Sequence, residues 1–416
     1  MGILPCRSSP PRSRTPSYHL LSESSSSSIA SQSSLPSVPS LTLTDPLDVS
    51  SWPPTDVQHR CLMTQSSHSS YVSSLVLVGK FFLAGAADGE VRAWAHGSTG
   101  SCSSSDGNVA VPGGGSTVKS MAVSGDVLFS AHQDGKIRVW RLDDDDDDDG
   151  RPSYKFLTSL PTFVDRFSKI FSSRNYVQVR RHRKCTWVHH VDAVSSLVLS
   201  KDGSLLYTAS WDRTFKVWRT SDLRCLESVS DAHADAINAI VVSPSGFVYT
   251  GSADKKIKMW KQTFDGDRAR KGRHVMVATL EKHRSAVNAL ALTEDGEVLY
   301  SGACDRSILV WEWEGSRNDQ GMVLAGALRG HSKAILSLAV VGDLVVSGSA
   351  DKTLRVWRRG VDKAYSCLGV LEGHTKPVKC VAAREDRTSD GRGYRVYSGG
   401  LDRDIKVWQI WAPSQL

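Results

Sequence analysis

Residues Ser347–Arg358 read SGSADKTLRVWR. A run of small residues leads into a polar turn carrying Asp351, and a second run alternates Leu354, Val356 and a closing Trp357. Alternation of this kind, bounded by a polar turn, marks a half-buried strand, so the stretch is a β-hairpin. The same hairpin recurs along the chain. An Asp stands six residues before a Trp at Asp88 and Trp94, Asp134 and Trp140, Asp212 and Trp218, Asp254 and Trp260, Asp305 and Trp311, Asp351 and Trp357, and Asp402 and Trp408. Successive tryptophans lie 46, 78, 42, 51, 46 and 51 residues apart. A four-strand unit with a period in the forties specifies an all-β fold, a propeller of seven blades.

Working outward, the propeller should occupy residues 56–416, with repeats ending near the seven tryptophans. In this architecture each repeat begins with the outer strand of the preceding blade. No such strand follows Trp408, so His59–Thr64 (HRCLMT) is expected to supply it and close the ring, which removes free edges. Residues 1–55 are rich in Ser and Pro and poor in aromatics. They bury too little apolar surface to offset ordering entropy, so a disordered tail is expected and its removal should cost little stability. Arg7, Arg12 and Arg14, with few acids, also fit an organellar transit peptide.

The widest gap, Trp140 to Trp218, holds an insert. After a strand at Tyr154–Leu160, Phe163, Val164, Phe167, Ile170 and Phe171 fall at helical spacing behind a Pro suited to a helix start. A basic patch follows at Arg180, Arg181, Arg183 and Lys184, readable as an anion site, a nuclear-import signal or a solvated loop edge. The seventh repeat carries a further insertion, Arg384–Arg392. Asp143–Asp149 is a run of seven carboxylates in a chain of formal net charge +7, so the remaining surface is strongly basic and suits acidic partners. The eight cysteines show no metal-ligand or CxxC spacing and suggest a reducing compartment, cytoplasmic or nuclear. No apolar run approaches the length that spans a bilayer.

Each regular repeat combines His, a hydroxyl, Asp and Trp. The sets are His190, Thr208, Asp212, Trp218; His233, Thr250, Asp254, Trp260; and His283, Ser301, Asp305, Trp311. Two more are His331, Ser347, Asp351, Trp357 and His374, Ser398, Asp402, Trp408. Ser, His and Asp invite a nucleophilic triad. A constellation repeated around a ring is better read as a network that satisfies a buried His and pins three strands together. Ala84 replaces the hydroxyl in the first repeat and Gly114 the His in the second, so those two blades should be less firmly pinned. No cofactor, metal site or catalytic residue is expected.

The pattern resembles the WD-repeat family, with Gly-His at Gly330-His331 and Gly373-His374, although no repeat ends in Trp-Asp. More closely, the chain resembles the plant JINGUBANG-like WD-repeat proteins. The likeness runs through HSSYVSSL, NYVQVRRHRK, SDLRCLESV, EKHRSAVNALAL, SGACDRSILVWE, GALRGHSKAIL and GHTKPVK, over about residues 58 to 410. It implies a non-enzymatic regulator that works through a bound partner such as a transcription factor, in control of pollen germination and tube growth. A substrate receptor of a cullin-type ubiquitin ligase is the alternative, and the missing Trp-Asp-x-Arg ending argues against it. Direct nucleic-acid binding is not expected, since it would want aromatics among the basic residues of one groove and the basic clusters here divide between faces. By the same resemblance, partner contacts concentrate on one rim, at Tyr71, Lys119, Gln133, Trp211, Asn238, Asn288, Leu336, Lys379 and Leu401. The insert Pro161–Trp187 is expected on that rim, and the closed ring is expected to be monomeric.

Overall fold

The computed structural model describes residues 38–42, 58–66, 68–96, 108–112, 115–142, 153–170, 176–180, 183–263, 272–315, 320–388 and 391–411. The tail before residue 38, the acidic run Asp143–Asp149, Phe171 and Arg181 lie outside them.

Seven four-stranded antiparallel sheets form the blades. Blade one is β2 (Val72–Val78), β3 (Phe81–Ala86), β4 (Val91–Ala95) and β5 (Asn108–Val111). Blade two is β6 (Val118–Ser124), β7 (Val127–His132), β8 (Ile137–Leu142) and β9 (Tyr154–Leu160). An insert follows: α1 (Phe163–Ile170), then β10 (Tyr176–Arg180) paired with β11 (Arg183–Thr186). Blade three is β12 (Val194–Leu199), β13 (Leu205–Ser210), β14 (Phe215–Arg219) and β15 (Cys225–Val229), and blade four is β16 (Ile237–Val242), β17 (Val248–Ser252), β18 (Ile257–Thr263) and β19 (Arg273–Leu280). Blade five is β20 (Val287–Leu292), β21 (Val298–Ala303), β22 (Ile308–Gly315) and β23 (Gln320–Leu328), and blade six is β24 (Ile335–Val341), β25 (Leu344–Ser349), β26 (Leu354–Arg359) and β27 (Tyr365–Leu371). Blade seven takes β28 (Val378–Thr388), β29 (Gly391–Gly400) and β30 (Ile405–Trp411) from one end of the propeller and β1 (Gln58–Gln65) from the other. The expected insertion in the last repeat simply lengthens the β28–β29 hairpin.

The first strands of successive blades touch in a closed circle, with β28 returning to β2. Closure comes from β1, which runs antiparallel to β30 with His59 opposite Ile410 and Thr64 opposite Lys406. The core sits in layers between blades. One layer joins Phe129, Val139 and Leu160 of blade two to Val194, Leu206 and Trp218 of blade three. Small residues on the second strands make room for the next blade. A Cβ on Gly85 would lie 2.7 Å from Val118 Cγ1, and one on Gly399 would lie 2.6 Å from Val72 Cγ1 across the closing seam.

Two expectations are corrected. Disorder through residue 55 does not hold at Val38–Thr42: Ser40 pairs in parallel with Ala327 and Thr42 with Tyr365. Val38 is 5% exposed, and Leu41 packs on the layer between blades five and six. Burying these two aliphatic chains offsets part of the cost of ordering so short a segment. The insert helix forms as its spacing predicts, with Thr162 Oγ1 accepting the Asp165 N–H at 3.3 Å, but three residues of its apolar stripe stay exposed. Phe163, Val164 and Phe167 are exposed at 78%, 59% and 54%. Asp165 is buried instead, and its Oδ2 accepts the Cys225 N–H at 3.0 Å. That bond holds α1 beside the start of an outer strand, at the end of blade three away from the Asp212 turn, rather than on the expected rim.

Candidate partner-binding face

In blades three to seven the repeated network is complete. His190 Nδ1 meets Asp212 at 3.0 Å and its Nε2 meets the Thr208 hydroxyl at 2.9 Å, while Trp218 Nε1–H donates to the same hydroxyl at 3.0 Å. His233, Asp254, Thr250 and Trp260 repeat this at 2.9, 2.8 and 2.9 Å. His283, Asp305, Ser301 and Trp311 do so at 2.9, 2.8 and 2.9 Å. In the sixth blade His331, Asp351, Ser347 and Trp357 give 2.8, 2.8 and 3.0 Å, and in the seventh His374, Asp402, Ser398 and Trp408 give 2.9, 2.8 and 2.9 Å. Each Asp also accepts the N–H of the residue after its His, as Ser332 donates to Asp351 at 3.0 Å.

The hydroxyls Thr208, Thr250, Ser301, Ser347 and Ser398 are all at 0% exposure. A nucleophile there could not meet a substrate, and its oxygen already serves both His and Trp. Burial would raise the Asp305 carboxyl, but the hydrogen bond and charge of His283 more than offset it and hold the group at about 2. Asp212 and Asp351 are likewise held well below the usual carboxylate range against burial, by their histidines. Desolvation lowers His190, His233 and His374.

Blade two is pinned after all, by a histidine that repeat alignment misses. His132 stands two residues beyond Ser130 on β7, and a strand's period of two puts both on one face. Its Nε2 meets Ser130 Oγ at 2.8 Å, its Nδ1 meets the Ser116 carbonyl at 2.7 Å, and Trp140 Nε1–H donates to Ser130 Oγ at 2.8 Å. Asp134, left without a histidine, pairs with Arg138 at 2.8 Å. Blade one is open, as Ala84 implies. Both ring nitrogens of His68 and the Trp94 N–H are buried without a hydrogen-bond partner among the described residues. His68, Asp88 and Glu90 could converge on a cation, but Arg92 pairs with Glu90 at 2.8 Å and brings its own positive charge there.

The turn after each network Asp defines a face of the ring. The next residue has positive φ in all seven blades: Gly89 and Gly135 first, then Arg213 (68°), Lys255 (73°), Arg306 (69°), Lys352 (76°) and Arg403 (75°). Five exposed cations thus sit in a backbone region that favours glycine. Of the expected rim positions, Tyr71, Gln133, Trp211 and Leu401 take part in the main-chain bonds that close these turns. The residue before each Asp donates its N–H to the carbonyl three residues after the His position, as Ala87 does to Tyr71, Gln133 to Thr117, Trp211 to Ala193 and Leu401 to Pro377. Trp211 is 38% exposed, with Lys119 Nζ 5.2 Å from its ring centroid. Burial, with the Lys379 charge, lowers Lys119 to about 8. Leu336 is half-buried and Lys379 exposed. Asn238 and Asn288 are committed elsewhere: their amides donate to the Val287 and Ile335 carbonyls of the next blade at 2.9 and 2.8 Å. The basic patch forms the end of a hairpin, with Arg180 opposite Arg183 and Gln178 opposite Lys184.

Comparison with known proteins agrees with this geometry. The model of the "WD domain, G-beta repeat" matches residues 59–95, 182–219, 224–261, 275–312, 322–358 and 365–409, together more than half of the chain. The stretch it passes over contains blade two, where the histidine has moved. The Arabidopsis thaliana protein ROOT INITIATION DEFECTIVE 3 is 26% identical over 269 residues, covering 63% of this chain and 53% of the relative. A ribosome biogenesis protein WDR12 homolog of Chlamydomonas reinhardtii is 26% identical over 251 residues, covering 53% and 54%. A CCR4-associated factor 4 homolog of Candida glabrata is 23% identical over 232 residues, covering 52% and 38%. The chain therefore spans about half or less of the length of these relatives. With a closed ring of seven blades, the pinned hairpins and the matching repeats, the chain belongs to the WD-repeat family.

Proposed function

We propose that the protein is a non-enzymatic interaction scaffold, a JINGUBANG-like plant regulator that works in the cytoplasm or nucleus through a bound protein such as a transcription factor. Control of pollen germination and tube growth is the process that the family likeness implies. A relative named for root initiation in Arabidopsis supports reading it as a plant regulator. Residues 56–416 would be the interacting unit. The observation that carries the reading is the face of the Asp turns: exposed Trp211, Lys119 over its ring, and five basic residues at positive φ. An aromatic anchor within a basic surface suits an acidic protein segment, with the anchor holding the complex and the charges speeding encounter.

Proximity labelling should identify the partner and surface plasmon resonance should measure it. Trp211→Ala is expected to weaken binding by about 2 kcal/mol or more. Reversing Arg213, Lys255 and Lys352 together is expected to slow association and flatten its salt dependence. Unchanged binding in both variants would move the partner surface away from this face.

A further inference from the structure

The segment Val38–Thr42 (VPSLT) belongs to no blade, yet it is held like a bound peptide. The Ala327 N–H donates to the Pro39 carbonyl at 2.9 Å, and the Leu41 N–H donates back to the Ala327 carbonyl at 3.0 Å. The Tyr365 N–H donates to the Leu41 carbonyl at 3.2 Å, and the Arg329 guanidinium donates to the Val38 carbonyl at 2.9 Å. Val38 is buried, and Leu41 packs on the layer that holds Tyr300, Leu328, Trp357 and Tyr365. Pro39 and Ser40 face solvent. Pro39 loses nothing by lacking an N–H, because this ladder uses its carbonyl.

The seam is shaped for such a segment. A Cβ on Gly326 would lie 2.6 Å from Leu41 Cγ and 2.9 Å from the Pro39 carbonyl oxygen, and its three nearest atoms all belong to the strap. Gly326 stands opposite Val310, just before a register shift. The corresponding position carries Thr158 in blade two, Glu227 in blade three, Ala278 in blade four and Met63 in blade seven, while blade six has Gly369, where a Cβ would meet nothing closer than His59 Nδ1 at 3.5 Å. Of the two glycines, Gly326 is the one whose bare backbone is covered by the strap. Blades five and six have their four strands without it. Taking the strap away would leave the ring closed but expose the Ala327 and Tyr365 amides over an apolar floor, which is how a sheet recruits an extended peptide.

We infer that the seam between blades five and six is a peptide-docking site, filled in cis by Val38–Thr42 and exchangeable for a partner segment of the same chemistry. That chemistry is an uncharged, extended aliphatic–Pro–polar–Leu motif. Fifteen residues separate Thr42 from Gln58, so an incoming peptide competes with a tethered one. The site is separate from the Asp-turn face and stands or falls independently of it.

The test uses the full chain. Val38→Asp with Leu41→Asp should empty the seam, and a fluorescent peptide of residues 35–44 should then bind saturably, at least tenfold more tightly than it binds wild type. Adding Gly326→Val to the emptied chain should abolish that binding, since a Cβ there would stand where the three nearest atoms belong to the strap. A folded double variant that takes up no peptide overturns the proposal, as does equal uptake by wild type and the emptied chain. If the double variant does not fold, hydrogen exchange on wild type decides. The Leu41, Ala327 and Tyr365 amides should exchange together and far faster than those of β25, and protection equal to β25 makes the strap a fixed part of the ring.

Discussion

At the scale of single residues, identical letters do different work. Asp134 and Asp351 occupy the same place in their repeats, yet only Asp351 holds a histidine. Asp351→Ala is expected to cost about 1–3 kcal/mol by leaving His331 Nδ1 short of its main partner, whereas Asp134→Ala loses a partly exposed ion pair and an exposed turn bond from the Lys136 N–H and should cost about 1 kcal/mol or less. Urea unfolding of the two variants checks this, and equal costs would remove the distinction between the blades. Partner affinity measured on the folded fraction should stay unchanged in both. Histidines also set the acid limit. Burial lowers His68 and His132 to about 4 from an ordinary value of 6.5. The unfolded chain takes up these protons below pH 6.5 and the folded chain does not. Stability should therefore fall as pH drops from 6.5 to 4, by at most about 3 kcal/mol for each histidine. His132→Gln should flatten that slope in urea titrations at successive pH values, and a slope unchanged by the substitution would show that His132 does not set it. The five regular networks were legible because type and spacing repeat. His132 was not, since its signal is a period of two within a strand rather than a place in the repeat.

Among elements, the repeats announce themselves and the pieces between them do not. Every blade hairpin carries the same alternation because each packs between two neighbours of the same kind. The insert helix shows what periodicity leaves open: spacing gathered Phe163, Val164 and Phe167 on one stripe, but the attachment runs through Asp165. Spacing reports that an apolar face exists, not which side meets the protein. The strap was illegible for another reason. Five residues inside a long Ser/Pro-rich stretch barely alter its composition, and what orders them is a bare backbone at Gly326 nearly three hundred positions away. Deleting residues 1–52 is consequently expected to lower stability by about 2 kcal/mol, from one buried and one partly buried aliphatic side chain and the main-chain bonds. Calorimetry on that truncation tests it, and an unchanged melting temperature would mean that the docked strap adds nothing to stability.

For the whole molecule, the decisive contact is the one that joins its two ends. Extending the deletion to residues 1–66 removes β1 as well, so β30 loses its outer neighbour and blade seven is left with three strands. That truncation should be far less stable than the 1–52 deletion, or fail to accumulate as soluble protein, and similar melting temperatures for the two would refute closure by β1. The same pairing has a consequence for how the protein is made. Thr64 and Lys406, which bond at 2.9 Å in blade seven, are 342 residues apart. At translation speeds of about 5–20 residues per second, roughly 20–70 seconds pass between their appearances. Throughout that interval β1 has been synthesised and has no strand to pair with, a bare edge beside a crowded ribosome. Nascent chains halted anywhere before Ile405 should hold as many as six finished blades and still be open, with HRCLMT exposed to whatever factor guards unpaired strands.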